Sequence, residues 1–284
     1  MSESNWQYVY ASVIGSSHQS REEPCQDAAL VRRIVTPQET FLVACCSDGA
    51  GSAYLAAEGA ALACEAFIAR AAARLRQHQH LHTLSREVVS GWIGGIAGEL
   101  AELARRRHAE PRETACTLLA AIINAHEAMF LQIGDGAIVV SPPPEPPEAP
   151  EASQAQRPGE YEVVFWPQMG EYAGQTNFIT DPNAQSAFVF QWLKRPVHRL
   201  AMFTDGLQMV CLNYARHAAH APFFDPLFNT LQNAGDTESL KDPFREFLNS
   251  DGVNARTDDD RTLILAMRRD AGRIARLSDE DEQA

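Results

Sequence analysis

Phe41-Leu42-Val43-Ala44-Cys45-Cys46-Ser47-Asp48-Gly49-Ala50-Gly51-Ser52 sets an apolar strand, an acid and two glycines directly ahead of a helical stretch. The apolar run reads as a buried strand, Asp48 closes it, and the glycines let the backbone turn sharply. The pattern recurs along the chain. Leu200-Ala201-Met202-Phe203 leads into Thr204-Asp205-Gly206, and the run 128–133 leads into Gly134-Asp135-Gly136. Gln26-Asp27 stands ahead of another strand-like run, and Asp258-Asp259-Asp260 ahead of Thr262-Leu263-Ile264-Leu265-Ala266-Met267. Carboxylates at strand ends can meet in space although they lie far apart in sequence. Grouped acids repel one another unless cations neutralise them, and hard oxygen ligands favour Mg²⁺ or Mn²⁺ over zinc. Each element also has a plainer reading. Asp-Gly is common in turns, Gly134-Asp135-Gly136 alone reads as a hairpin turn, and Asp258 and Asp260 read as solvated turn residues.

Residues 6–13 alternate, with Trp6, Tyr8 and Tyr10 on one face, as expected of a half-buried strand. Strand-like runs follow at about 28–35, 40–46, 115–124, 127–133, 137–141, 161–166, 186–193, 198–204 and 261–268. So many strands with few hairpin dipeptides point to large, mostly antiparallel sheets rather than βαβ repeats. Two long helices are predicted between the third and fourth strands. One runs from an N-cap at Ser52 to about Gln77. The other, about 84–108, carries Val89, Trp92, Ile93, Ile96, Leu100 and Leu103 at helical spacing. Its Gly91, Gly94, Gly95 and Gly98 form a smooth patch for a close neighbour. A further helical pair is expected over 222–250. The proline-rich stretch 142–158 cannot pack a core and is placed as an exposed loop. One domain is expected over 1–270, with a tail at 271–284.

The bulk numbers describe a soluble globular chain: 284 residues, 45% hydrophobic and 21% charged. No long uncharged apolar stretch suggests a membrane span, and the start lacks the basic and apolar regions of a secretory signal. A cytoplasmic location is expected. The net charge of −13 argues against nucleic acid as a partner. The six cysteines show no zinc-ligand spacing and mostly lie in apolar runs, so reduced core thiols are expected.

Taken in order, the motifs resemble the metal-dependent protein phosphatase 2C family in its bacterial form. The residues that carry the resemblance are Gly15…His18…Pro24-Cys25-Gln26-Asp27-Ala28, Asp48-Gly49-Ala50-Gly51, Thr114-Ala115-Cys116-Thr117-Leu118, Gly134-Asp135-Gly136, Thr204-Asp205-Gly206-Leu207 and Asp259-Asp260-Arg261-Thr262. They span nearly the whole chain. The resemblance implies an α+β fold, a four-layer α-β-β-α sandwich of two mostly antiparallel sheets flanked by helical pairs. It implies a cleft at one end that holds two Mg²⁺ or Mn²⁺ ions, with Asp48 bridging them. Asp205 and Asp259 would hold the first ion, the Gly49 carbonyl the second, and Asp27 would act near the second. Asp135 matches an acid that in some members holds a weaker third ion. His18 and Arg21 are the implied candidates for general acid and phosphate contact. Gln26 and Ala50 stand where eukaryotic members carry glutamate and histidine, and Met209 where some members carry a further acid.

The implied activity is hydrolysis of phosphoserine and phosphothreonine in proteins. Two metals about 4 Å apart can lower the pKa of a water between them and make hydroxide available near neutral pH. No cysteine or serine nucleophile is required. The expected partner is a phosphorylated protein, linked to a Ser/Thr kinase, acted on by a monomer. Two other readings compete: a catalytically impaired module that binds a phosphoprotein or kinase, and another dinuclear-metal phosphohydrolase.

Overall fold

Successive side chains of a strand point to opposite faces, so a strand buried on both sides needs apolar residues at every position. Thr40–Asp48 is such a strand. Leu42, Ala44 and Cys46 face a second sheet, while Val43 and Cys45 face helices. The computed structural model describes residues 6–143, 161–168 and 176–269. In chain order the strands are β1 (Trp6–Val13), β2 (Asp27–Val35), β3 (Thr40–Asp48), β4 (Leu118–Ile123), β5 (Ala128–Ile133), β6 (Ala137–Ser141), β7 (Glu162–Phe165), β8 (Val189–Leu193), β9 (Arg199–Phe203), β10 (Leu212–Asn213), β11 (Ala218–Ala219) and β12 (Arg261–Arg268). Among the described residues they form two five-stranded sheets, ordered β1-β12-β9-β6-β7 and β2-β3-β4-β5-β8, and a small β10-β11 ribbon. All pairings are antiparallel.

Three apolar layers hold the sandwich together. Between the sheets lie Trp6, Leu42, Phe130, Ile138, Met202 and Ile264. The outer face of the β3 sheet is covered by α2 (Ala56–His78) and α3 (Arg86–Arg106), through Phe67, Leu75, Ile93 and Leu100. The outer face of the other sheet is covered by α6 (Ala221–Asn233) and α7 (Lys241–Leu248), through Phe224, Phe228 and Leu248. The four-layer α-β-β-α expectation holds. All six cysteines are free, and all but Cys25 are buried.

Several local readings need correction. Ser52 does not cap α2. The segment before the helix is pinned sideways, with the Leu55 and Tyr54 amides donating to the Glu113 carbonyl and side chain, so the helix starts at Ala56 without a side-chain cap. The glycines of α3 split in role. Gly94 lies against Gln185 and Gly95 against Arg70, whereas Gly91 and Gly98 face open space. Gly59 of α2 lies directly against backbone, where a Cβ would sit 2.5 Å from the Thr114 carbonyl oxygen. Gly134-Asp135-Gly136 is not a hairpin turn, because β5 and β6 belong to different sheets. It is the crossing between them. Gly134 takes φ +112°, and the buried Gln132 amide donates to the carbonyls of Gly134, Gly136 and Trp166 to hold the crossing. Most of the proline-rich stretch and the 271–284 tail lie outside the described residues. The strands on either side of that stretch, β6 and β7, are paired neighbours.

A Cβ at Gly134 would also meet Thr117 Cγ2 at 2.4 Å. Gly134→Ala is expected to lose roughly 2 kcal/mol or more of stability, from the positive φ and the clash together. Urea denaturation monitored by tryptophan fluorescence checks this.

Candidate metal centre

Both sheets end in acids at the same end of the sandwich. Asp27 and Asp48 come from the β3 sheet, at the facing ends of β2 and β3, and they are direct cross-strand partners. Like charges placed opposite one another on adjacent strands repel. Asp205 follows β9 and Asp259 precedes β12, in the other sheet. Asp135 sits on the crossing between the two. One carboxylate oxygen from each of Asp48, Asp135 and Asp205 lies within 4.8 Å of the others. Asp259 is outside that tight triple but near enough to push up the carboxyls of Asp48, Asp135 and Asp205 by its charge.

Local structure explains why each acid is where it is. The Thr117 hydroxyl accepts the Asp48 amide at 2.9 Å, and the Thr117 amide donates back to the Asp48 carbonyl at 2.8 Å. Gly49 then passes α2 so closely that a Cβ would sit 2.7 Å from Ala56. Asp205 is brought in by Gly206, where a Cβ would lie 2.0 Å from the Asp260 carbonyl oxygen. Asp135 accepts from the Thr176 hydroxyl at 2.6 Å, and its carbonyl accepts from the Gln208 amide at 2.6 Å. Asp27 is buried, and the Thr204 hydroxyl donates to its Oδ2 at 2.8 Å. Its Oδ1 is buried without a hydrogen-bond partner among the described residues.

Electrostatics follow from this crowding. Burial is the first cause of the raised carboxyls of Asp27, Asp48, Asp135 and Asp205, and their mutual repulsion adds to it. Asp205 is pushed up to about 6. The three converging carboxylate oxygens form an all-oxygen donor set of the kind that hard divalent cations take, and Asp27 Oδ1 is a further buried acceptor without a partner among the described residues.

The triplet divides its labour. Asp258 is exposed, Asp259 faces the cluster, and Asp260 is only 2% exposed, contrary to its reading as a solvated turn residue. Asp260 Oδ1 accepts the Gly15 amide and its Oδ2 the Gln26 amide, each at 2.6 Å. Those residues leave β1 and enter β2, so this one carboxylate ties the two sheets together at the site. Sequence reasoning missed it, because Asp260 lies in the turn ahead of β12, where no strand period assigns it a face. His18, on the short α1 (Ser16–Ser20), is buried with Nδ1 3.0 Å from Asp260 Oδ2, out of line for a hydrogen bond, and Nε2 3.8 Å from Glu23. Arg21 is half exposed and pairs with Glu23 at 2.8 Å.

Comparison with known proteins agrees with this geometry. The family model described as Protein phosphatase 2C matches residues 14–249. Serine/threonine-protein phosphatase 3 of Escherichia coli strain K12 is 34% identical over 266 residues, covering 93% of this chain and 98% of that protein. The solved serine/threonine phosphatase of S. agalactiae has a TM-score of 0.60 at 15% identity, covering 93% of this chain and 100% of its own. Stp1 from Staphylococcus aureus has a TM-score of 0.57 at 14% identity, covering 95% and 96%. At these identities the two structures speak for the fold.

Asp260→Ala removes two charge-assisted bonds to buried amides and is expected to cost roughly 3 kcal/mol or more, read by chemical denaturation. A second expectation concerns pH. The raised Asp205 carboxyl stabilises the metal-free protein while protonated, and this contribution is lost as pH rises from the ordinary carboxylate range through about 6. The rise in Tm on adding Mn²⁺ should therefore be larger at pH 7.5 than at pH 5, by differential scanning fluorimetry.

Proposed function

This chain belongs to the protein phosphatase 2C family, and on that premise we propose that it dephosphorylates phosphoserine and phosphothreonine in proteins, using divalent cations held by its acidic cluster. The observation that carries the proposal is the convergence of Asp48, Asp135 and Asp205 within 4.8 Å at a half-buried strand end. Asp48, one of the three converging acids, would be shared between cations. Asp205 and Asp259 would hold one cation, and the Gly49 carbonyl with Asp27 would serve a second. Asp135 would contribute to a further one beside Asp205. When bound, such cations supply an activated water for in-line attack on phosphorus and neutralise charge on the phosphoryl oxygens.

The chain's own groups do the rest. Thr117 and Thr204 fix the orientation of Asp48 and Asp27. His18 lies between Asp260 and Glu23, which supports a positioning role for the loop that carries Gln26 and Asp27. The salt bridge of Arg21 to Glu23 competes with any phosphate contact it makes. A phosphorylated protein is the substrate class, and a Ser/Thr kinase the source of its phosphate. Among the described residues no helix is long and apolar enough to cross a membrane.

The test is hydrolysis of a phosphothreonine peptide and of p-nitrophenyl phosphate with Mn²⁺, with a chelator control. Asp48→Asn and Asp205→Asn should each lower kcat/KM for p-nitrophenyl phosphate by at least roughly two orders of magnitude while keeping the native circular dichroism spectrum. Turnover that survives the chelator, or wild-type turnover by either variant, refutes the proposal.

A further inference from the structure

Among the described residues, Val35, Tyr54, Met209 and Tyr214 are the large apolar side chains left exposed. Met209 and Tyr214 follow Asp205 by four and nine residues and lie on the same side of the molecule as the acids. The Tyr214 hydroxyl donates to Gln208 Oε1 at 2.6 Å, and Gln208 in turn donates to the Asp135 carbonyl. This chain of two hydrogen bonds places Tyr214 on the rim of the cluster.

The same two residues open onto a cavity of about 580 Å³, lined by Met209, Tyr214, Phe223, Phe247, Val253 and Arg256. Its apolar wall is well supported. Phe223 packs on Phe247 at 5.8 Å between ring centroids and edge-on against the buried Phe224 at 5.2 Å. A thioether 69% exposed and a tyrosine 48% exposed, beside a concave apolar wall, are features of a surface that takes up a ligand side chain. The volume falls within the range of small-ligand sites and accepts a large aliphatic or aromatic side chain.

We propose that this groove is the subsite for an apolar side chain flanking the phosphorylated residue of the substrate. Its continuity with the cluster through Met209 and Tyr214 is the reason for choosing that occupant. The phosphoryl group would enter the acidic pocket while the neighbouring side chain is buried against Met209, Phe223 and Phe247. The proposal rests on the reading of the chain as a protein phosphatase and adds its substrate preference.

The test uses phosphothreonine peptides in which one position at a time, from two before to two after the phosphothreonine, is leucine, serine, glutamate or arginine. With Mn²⁺ present, one position should favour leucine over serine in kcat/KM by about tenfold, the scale on which apolar pockets discriminate. Met209→Glu and Tyr214→Ser should each reduce that leucine-to-serine ratio toward one. Both side chains are exposed, so neither change removes core packing. If no position favours leucine, if glutamate or arginine is favoured instead, or if the ratio persists in both variants, the subsite is refuted. Failure of the wild-type protein to hydrolyse any peptide or p-nitrophenyl phosphate would refute the phosphatase reading itself.

Discussion

Carboxylates are withdrawn from water at one end of this sandwich and held against their own repulsion. Asp27 and Asp48 face each other across a strand pair, and Asp135 and Asp205 crowd Asp48 from the other side. Without cations, such a group must take up protons, which is why burial and mutual charge raise these carboxyls together. The arrangement persists because the surrounding sheets leave no room for relaxation. Gly206 and Gly15 pass so close to the Asp258–Asp260 turn that a methyl group at either would overlap its backbone.

Asp259 and Asp260 show how adjacent, chemically identical residues come to different uses. Asp259 faces its fellow acids, and its Oδ1 accepts the Asp260 amide at 2.8 Å. Asp260 faces backbone donors. Two amide bonds compensate for its burial, and the neighbouring Arg261, itself 1% exposed, donates to Asn254 and to the Ile14 carbonyl just beyond β1. A buried charge is tolerable when hydrogen-bonded in this way. The result is a turn in which Asp260 is fully engaged by backbone amides while Asp259 keeps one oxygen outside its bond to the Asp260 amide.

Strand positions and the outer layers were legible because both faces of the central strands are covered, which writes apolar residues in nearly unbroken runs. The candidate ligands were legible because each sits where such a run begins or ends. What could not be read was non-local. Asp-Gly between β5 and β6 carries a strong hairpin signal, yet those strands pair with different partners, and only the sandwich assigns them to separate sheets. Ser52 has the chemistry of a cap but loses its place because Glu113 holds the preceding loop. The α1 helix and the β10-β11 ribbon are too short to show a period. Asp260 was hidden in an acidic triplet of which only Asp259 reads as a ligand, while Asp258 and Asp260 read as solvated.

The cluster draws on both sheets, and that has a mechanical consequence. Apart from the apolar layer between them, the sheets are joined at this end by Thr204 donating to Asp27 and by Asp260 gripping Gly15 and Gln26. Cations shared by Asp48 and Asp205 would add a further tie across the same gap, replacing repulsion between the acids by attraction to a common charge. Binding energy spent on such a bridge appears as stability of the folded chain. Chemistry and architecture would then depend on one set of contacts: the spacing that would let two carboxylates from different sheets reach the same ion is also the spacing at which those sheets pack.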